Sequence, residues 1–121
     1  SHPHVVQRAE FNKSQQKFVV YSLGNFISNQ RITPRDGGMM IHIELQKENG
    51  KTTISNAGNI LTWVYTPTIQ NKLKYFVLPI SKYENQPDFF DSNESFTKML
   101  DCVKIMRSIV EKQNIVTPEI K

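Results

Sequence analysis

The chain has 121 residues, of which 38% are hydrophobic, and a net charge of +4 from 15 basic and 11 acidic residues. This length suits one domain, and the composition supports a packed core, which excludes an intrinsically disordered chain. The basic residues are spread along the chain, whereas nucleic-acid surfaces cluster them on one face beside stacking aromatics, so no nucleic-acid partner is expected.

Strands are predicted from the start of the chain. The segment His4–Phe11 is predicted to begin extended, and polar residues 12–16 form a turn. The sequence KFVVYSL that follows is nearly continuously apolar, which is typical of a strand covered on both faces. Gly24-Asn25 ends this strand, and residues 26–38 carry the Asn, Thr, Pro and Asp residues of a long surface loop.

The clearest strand is MMIHIELQ at 39–46, where apolar and polar residues alternate and His42 falls on the polar face. Asn49-Gly50 follows and predicts a two-residue hairpin turn, because both positions tolerate positive φ. The partner strand is predicted at Thr52–Asn56, and a break at residues 57–59. Two further strands are predicted at residues 60–65 and 73–80.

The end of the chain has helical periodicity. Asp91 to Glu94 resembles a capping box, and apolar residues then recur at helical spacing, which predicts an amphipathic helix over about 92–113. Cys102, the only cysteine, lies in this stripe and is interpreted as a core residue. One domain is therefore expected over 1–121, with a β-rich part at 4–80, a linker at 81–91 and the helix. As an isolated chain it belongs to the α+β class.

Three segments together resemble a known family. SHPHVVQ at 1–7, FVVYSLGNF at 18–26 and GGMMIHIEL at 37–45 resemble the C-terminal part of the bacterial CapA family. This family is named for poly-γ-glutamate capsule synthesis and is similar in fold to calcineurin-like metallophosphoesterases. The resemblance implies an α/β parent protein at the bacterial cell envelope. Within its layered α/β/β/α sandwich, this C-terminal fragment would supply β-strands and a final helix.

The resemblance also implies a metal site. Calcineurin-like enzymes end their metal motifs with Gly-His-x-His, which here corresponds to Ser1-His2-Pro3-His4, so His2 and His4 are expected to bind divalent metal ions in the parent. The remaining ligands would lie in preceding sequence. Two histidines do not complete a catalytic metal centre, so this chain alone is expected to bind no metal tightly and to be inactive as a phosphoesterase.

Asn25 follows a strand and a glycine, where it could border a ligand site or simply occupy a turn. Three functions remain open at this point: a structural role in capsule assembly, metal-dependent phosphoester hydrolysis, and a free-standing β-rich binding module. The expected partners are the rest of the parent protein, a second copy of the chain and the envelope machinery that makes the polymer.

Overall fold

The computed structural model describes residues 2–121 and shows a strand-rich chain that ends in a long helix. All paired strands are antiparallel, so the predicted α+β character and the C-terminal helix are confirmed. The strands are β1 Ala9–Asn12, β2 Lys17–Val20, β3 Gly37–Glu48, β4 Lys51–Tyr65, β5 Thr68–Ile69, β6 Lys72–Leu73 and β7 Phe76–Pro79. The helices are α1 Ile80–Tyr83, a 3₁₀ helix Pro87–Phe89 and α2 Asn93–Gln113.

A long hairpin formed by β3 and β4 dominates the fold. Its turn is Asn49-Gly50, with φ of +49° and +76°, as the sequence predicts. β4 continues through residues 57–59, where the sequence predicted a break. Gly58 is needed there because a Cβ atom at this position would lie 2.7 Å from the Ile120 side chain. The register shifts once, at Ser55, where β4 carries one extra residue.

The C-terminal tail, residues 114–121, lies between β1 and β4. The Ile115 backbone N–H donates to the Ala9 carbonyl at 3.0 Å, and the Asn59 N–H donates to the Pro118 carbonyl at 2.9 Å. The tail therefore joins the β1–β2 pair to the β3–β4 pair, a role that its sequence does not signal.

A second connection links the end of β2 to the start of β3. The Met39 N–H donates to the Leu23 carbonyl at 2.8 Å, and the Asn25 N–H donates to the Gly37 carbonyl at 3.1 Å. The backbone pairings thus form a closed circuit from β3 to β4, the tail, β1, β2 and back to β3. This circuit places the N-terminal residues beside the start of β3.

Helix α2 packs its apolar stripe on β3 and β4. Gly37 permits the close approach, because a Cβ atom there would lie 2.7 Å from both Cys102 Sγ and Met106 Sδ. Cys102 is fully buried, as predicted, and burial raises the pKa of its thiol. The cap is Ser92, whose hydroxyl accepts from the Ser95 N–H at 3.1 Å, rather than Asp91. The buried residues of the helix are Met99, Cys102, Val103, Met106 and Val110.

A charged cluster ties α2 to the rest of the fold. Arg107 makes two hydrogen bonds to each of two carboxylates, Glu84 at 2.6 and 3.0 Å and Glu119 at 2.8 and 2.9 Å. Only 18% of the Arg107 side chain and 6% of the Glu119 side chain are exposed. These paired hydrogen bonds of Arg107, the Arg107 fork, connect α2 to Glu84, the residue after α1, and to Glu119 of the tail.

Several local predictions were wrong. β2 and its continuation are covered on one face only, because Phe18 and Val20 pack on the core while Val19, Tyr21 and Leu23 remain 44–48% exposed. The sequence over-predicted burial because nearly every residue of the run is apolar, so the sequence does not show that alternate residues face the core and the solvent.

The predicted surface loop at 26–38 ends two residues early, since β3 begins at Gly37. Asp36 is fully buried, and its Oδ2 accepts from Trp63 Nε1 at 3.0 Å. The first regular strand begins at Ala9 rather than at His4, whose φ of +57° is left-handed.

Candidate functional site

The candidate site is the contact between His4 and Asn25, two residues that the sequence singled out separately. His4 Nδ1 lies 3.1 Å from Asn25 Oδ1. His4 is exposed and Asn25 is half-buried. The pairing of Val6 with Leu23 brings the two segments together across 21 positions of sequence.

The hydrogen bonds of Asn25 determine which atoms meet. Asn25 Nδ2 donates to the Arg35 carbonyl at 2.8 Å and to Gln30 Oε1 at 3.2 Å. Both amide protons are thus used, so the amide oxygen faces His4 and only accepts. The His4 Nδ1 must therefore carry the proton in a neutral ring, which leaves the lone pair on Nε2.

Two glycines, Gly24 and Gly38, allow the backbone contact that positions Asn25. Gly24 has a φ of +70°, which other residues rarely adopt, and it starts the turn from β2. A Cβ atom on Gly38 would lie 2.5 Å from the Asn25 carbonyl oxygen. A Cβ atom on Gly24 would lie 2.8 Å from the Gly37 carbonyl oxygen. The close pairing of residues 23–25 with β3 therefore requires glycine on both sides.

Asn25 also lines an open depression of about 710 Å³. Its walls are mainly apolar, and exposed side chains include Phe26 at 56% and Ile27 at 58%. The polar contact between His4 and Asn25 thus adjoins an apolar surface, a combination that suits binding of another molecule or another chain segment.

His2 and His4 are the residues that the sequence assigned to a metal site. His2 lies in an exposed turn at the N-terminus. Imidazole nitrogen is a common ligand of zinc and other divalent transition metals, and the contact of His4 Nδ1 with Asn25 Oδ1 leaves Nε2 as the other ring nitrogen of His4. Within residues 2–121, no group of three or more His, Cys, Asp or Glu side chains is arranged to hold a metal.

The third histidine lies elsewhere. His42 is on β3 with Nε2 3.6 Å from Glu44 Oε1, and about half of each side chain is exposed. This placement agrees with its interpretation as a sheet-face residue. It also makes His42 a natural control for experiments on the other two histidines.

Sequence reasoning missed the residues that orient Asn25. Gln30, the Arg35 carbonyl and Gly38 all belong to the segment 26–38 that was interpreted as a surface loop. The glycine pair at 37–38 was the available signal, because adjacent glycines before a regular strand indicate a close backbone contact.

The part of the chain that carries this contact also has the sequence match. Residues 1–30 match a family model described as Bacterial capsule synthesis protein PGA_cap. No curated protein and no solved structure matches the chain. Between His2 and Lys121, no helix is both long enough and apolar enough to cross a membrane. The match covers 30 of the 121 residues and contains His2, His4 and Asn25, so what the chain shares with bacterial capsule synthesis proteins coincides with the candidate site.

Proposed function

We propose that the chain is the C-terminal part of a larger capsule synthesis protein of the CapA type, and that His4 contributes one ligand to a divalent metal centre in it. The contact of His4 Nδ1 with Asn25 Oδ1, inside the matched segment, is the observation that carries this proposal. Metal-binding histidines usually donate their other ring N–H to an oxygen acceptor, which fixes the ring and its tautomer. Asn25 is such an acceptor.

His2 is proposed as a second ligand, by resemblance to the Gly-His-x-His motif. The left-handed backbone at His4 supports a bend between the two histidines, so that they need not face opposite ways as on a regular strand. The remaining ligands would come from the preceding part of the larger protein. Two metal ions so held would activate a water and stabilise charge on a phosphoryl oxygen.

The same proposal includes the layered α/β/β/α arrangement of the parent. The exposed apolar face of Val19, Tyr21 and Leu23 supports it, because a strand of a buried sheet needs a covering layer on each face. The depression beside Asn25 would then be closed by the preceding domain segment, which would bring the remaining ligands to His4.

Such a protein could act in capsule or poly-γ-glutamate synthesis at the cell envelope in two roles, as a hydrolase or as a scaffold. The two roles require different residues. As a hydrolase it needs both histidines for activity. As a scaffold of the polymer-synthesis machinery it needs the fold but not the metal. The third possibility, a free-standing binding module, needs neither capsule nor metal.

One experiment separates these roles. In the bacterium, the full gene is replaced by His2→Ala, His4→Ala or His42→Ala variants or is deleted, and the amount of surface polymer is measured. Loss of polymer with the first two variants and the deletion, but not with His42→Ala, supports the metal-dependent role. Loss with the deletion alone supports the scaffold, and unchanged polymer after deletion contradicts the capsule function altogether.

A further inference from the structure

One edge of β3 is unpaired over most of its length. From Met40 to Glu48 this strand is hydrogen-bonded to β4 on one side. On its other side, the described residues 2–121 supply backbone partners only for residues 37–39, through the segment 23–25. An unpaired row of peptide groups is a template for another strand.

Every second residue of β3 directs its backbone N–H and carbonyl groups towards the unpaired edge. The Met39 N–H and the Gly37 carbonyl point away from β4, because they bind Leu23 and Asn25. Since directions alternate along a strand, the N–H and carbonyl groups of Ile41, Ile43 and Leu45 point the same way. The one register irregularity of the hairpin is the extra residue in β4, at Ser55, so it does not interrupt the alternation in β3.

The middle of this edge, residues 40–46, lacks two features that usually prevent strand pairing. Proteins protect edges with proline, with lysine, with bulges or with short strands. The stretch MIHIELQ, residues 40–46, has neither proline nor lysine. Ile43 is 38% exposed and Leu45 is 68% exposed, on the face that Ile41 shares with the core.

We propose that β3 of a second copy of this chain pairs with this edge, antiparallel, about a two-fold axis at Ile43. In this register His42 lies opposite Glu44 of the second copy, and Ile41 lies opposite Leu45 of the second copy. Two-fold symmetry makes each pair twice, so the edge complements itself in polar and in apolar contacts.

Neighbouring registers lose this complementarity. An axis at Glu44 sets the two Glu44 carboxylates opposite each other, and an axis at His42 does the same with the two imidazoles. An axis at Leu45 keeps a polar pair, His42 with Glu48, but sets Ile43 opposite Lys47, so the apolar contact is lost. Two carboxylates directly opposite destabilise a strand pair. The register about Ile43 is therefore the favoured one, because it alone combines the polar and the apolar pairs.

The polar pair of the proposed interface can be replaced without disturbing the monomer fold, because the His42 and Glu44 side chains are about half exposed. Sedimentation of the purified 121-residue chain over about 1–500 μM would show a monomer–dimer equilibrium. Glu44→Lys alone and His42→Glu alone each weaken dimerisation at least about fivefold, since the first removes the carboxylate opposite each imidazole and the second sets two carboxylates opposite each other. The double variant H42E/E44K restores dimerisation, and Glu111→Lys, an equal charge change on α2, leaves it unchanged.

Cross-linking tests the register. An Ile43→Cys variant should oxidise rapidly to a disulfide-linked dimer, because opposed residues of a hydrogen-bonded pair lie about 5.5 Å apart at Cα, within disulfide range. Leu45→Cys should oxidise slowly, because its opposite residue is Ile41 of the second copy. Cys102 is buried and does not compete. A monomer at every concentration, no rescue by the double variant, or equal oxidation of the two cysteine variants would overturn the proposal.

Discussion

At the residue scale, the candidate site depends on a few atoms, and their roles follow from which hydrogen bonds Asn25 already makes. Asn25 uses both amide protons on Gln30 and Arg35, so its oxygen is the atom that meets His4. The tautomer of His4 is thereby fixed by residues that do not touch a metal. In the proposed metal centre, the same hydrogen bonds would hold the His4 ring in place for its metal.

The tautomer is measurable in the chain by itself. Long-range ¹H–¹⁵N correlation spectra of the neutral ring should show His4 protonated at Nδ1, because the Asn25 oxygen accepts only from that nitrogen. In Asn25→Ala the acceptor is gone, and the His4 spectrum should approach that of an unconstrained histidine. His42 should be the same in both proteins. A His4 ring protonated at Nε2 in the unmodified chain would contradict the orientation.

Gly38 should be sensitive to substitution for a backbone reason. Gly38→Ala places a Cβ atom 2.5 Å from the Asn25 carbonyl oxygen, so the 23–25 segment must shift, at a cost of about 1–3 kcal/mol in unfolding free energy. Gly58→Ala should cost less, because its new Cβ meets the Ile120 side chain, which can move, at 2.7–2.8 Å, and the nearest backbone atom, the Pro118 carbonyl oxygen, is 3.2 Å away. Urea unfolding of both variants checks the ranking, and equal losses would contradict it.

At the scale of elements, the C-terminal tail and the Arg107 fork hold separate pieces together. The tail supplies backbone partners to both β1 and β4, and Arg107 joins α2 to the tail and to the end of α1. Helix packing and strand pairing are thus coupled through residues far apart in sequence.

Removal of the fork should therefore destabilise the whole fold. Arg107→Met leaves Glu119, which is nearly buried, without its partner, and we expect a loss of about 2–4 kcal/mol in unfolding free energy. Lys104→Met on the exposed side of the same helix should change the unfolding free energy by less than about 0.5 kcal/mol. Denaturant unfolding measures both, and similar small effects would show that the fork contributes little.

The fork also predicts a pH dependence. Hydrogen bonds from Arg107 lower the pKa of Glu84 below its ordinary value of 4.5. The unfolded chain then binds the proton more readily than the folded one, so this contribution to stability is present above pH 4.5 and is lost as the pH falls through the lower folded pKa. Unfolding curves between about pH 2.5 and 6 should fall less steeply with acid in Arg107→Met. Parallel curves for the two proteins would argue against the coupling.

Features that depend on residues close together in the sequence were predictable, and features that depend on distant residues were not. The Asn49-Gly50 turn and the helix were predictable, because turn chemistry and periodicity lie within a few residues. The tail at 114–121 was not, because its role depends on Ala9 and Asn59, more than 50 positions away. The one-sided burial of β2 was also missed, since an apolar run does not say which face another element covers. His4 and Asn25 were identified separately, but the contact between them required the fold.

At the scale of the whole molecule, two apolar surfaces have different expected occupants. The face of Val19, Tyr21 and Leu23 is proposed to be covered by the preceding part of a larger protein, whereas the β3 edge is proposed to meet a second copy. The two surfaces lie on different elements, so one can fail in experiment without the other.

The most direct test of the central claim is the metal content of the full-length gene product that contains this chain. Mass spectrometric metal analysis of the purified protein should show bound divalent metal, with large losses in His2→Ala and His4→Ala. Asn25→Ala should lower metal affinity about 10–100-fold, because His4 loses the acceptor that orients it. His42→Ala should keep the full metal content. Equal metal content in the unmodified protein and in the His4→Ala and Asn25→Ala variants would contradict the account.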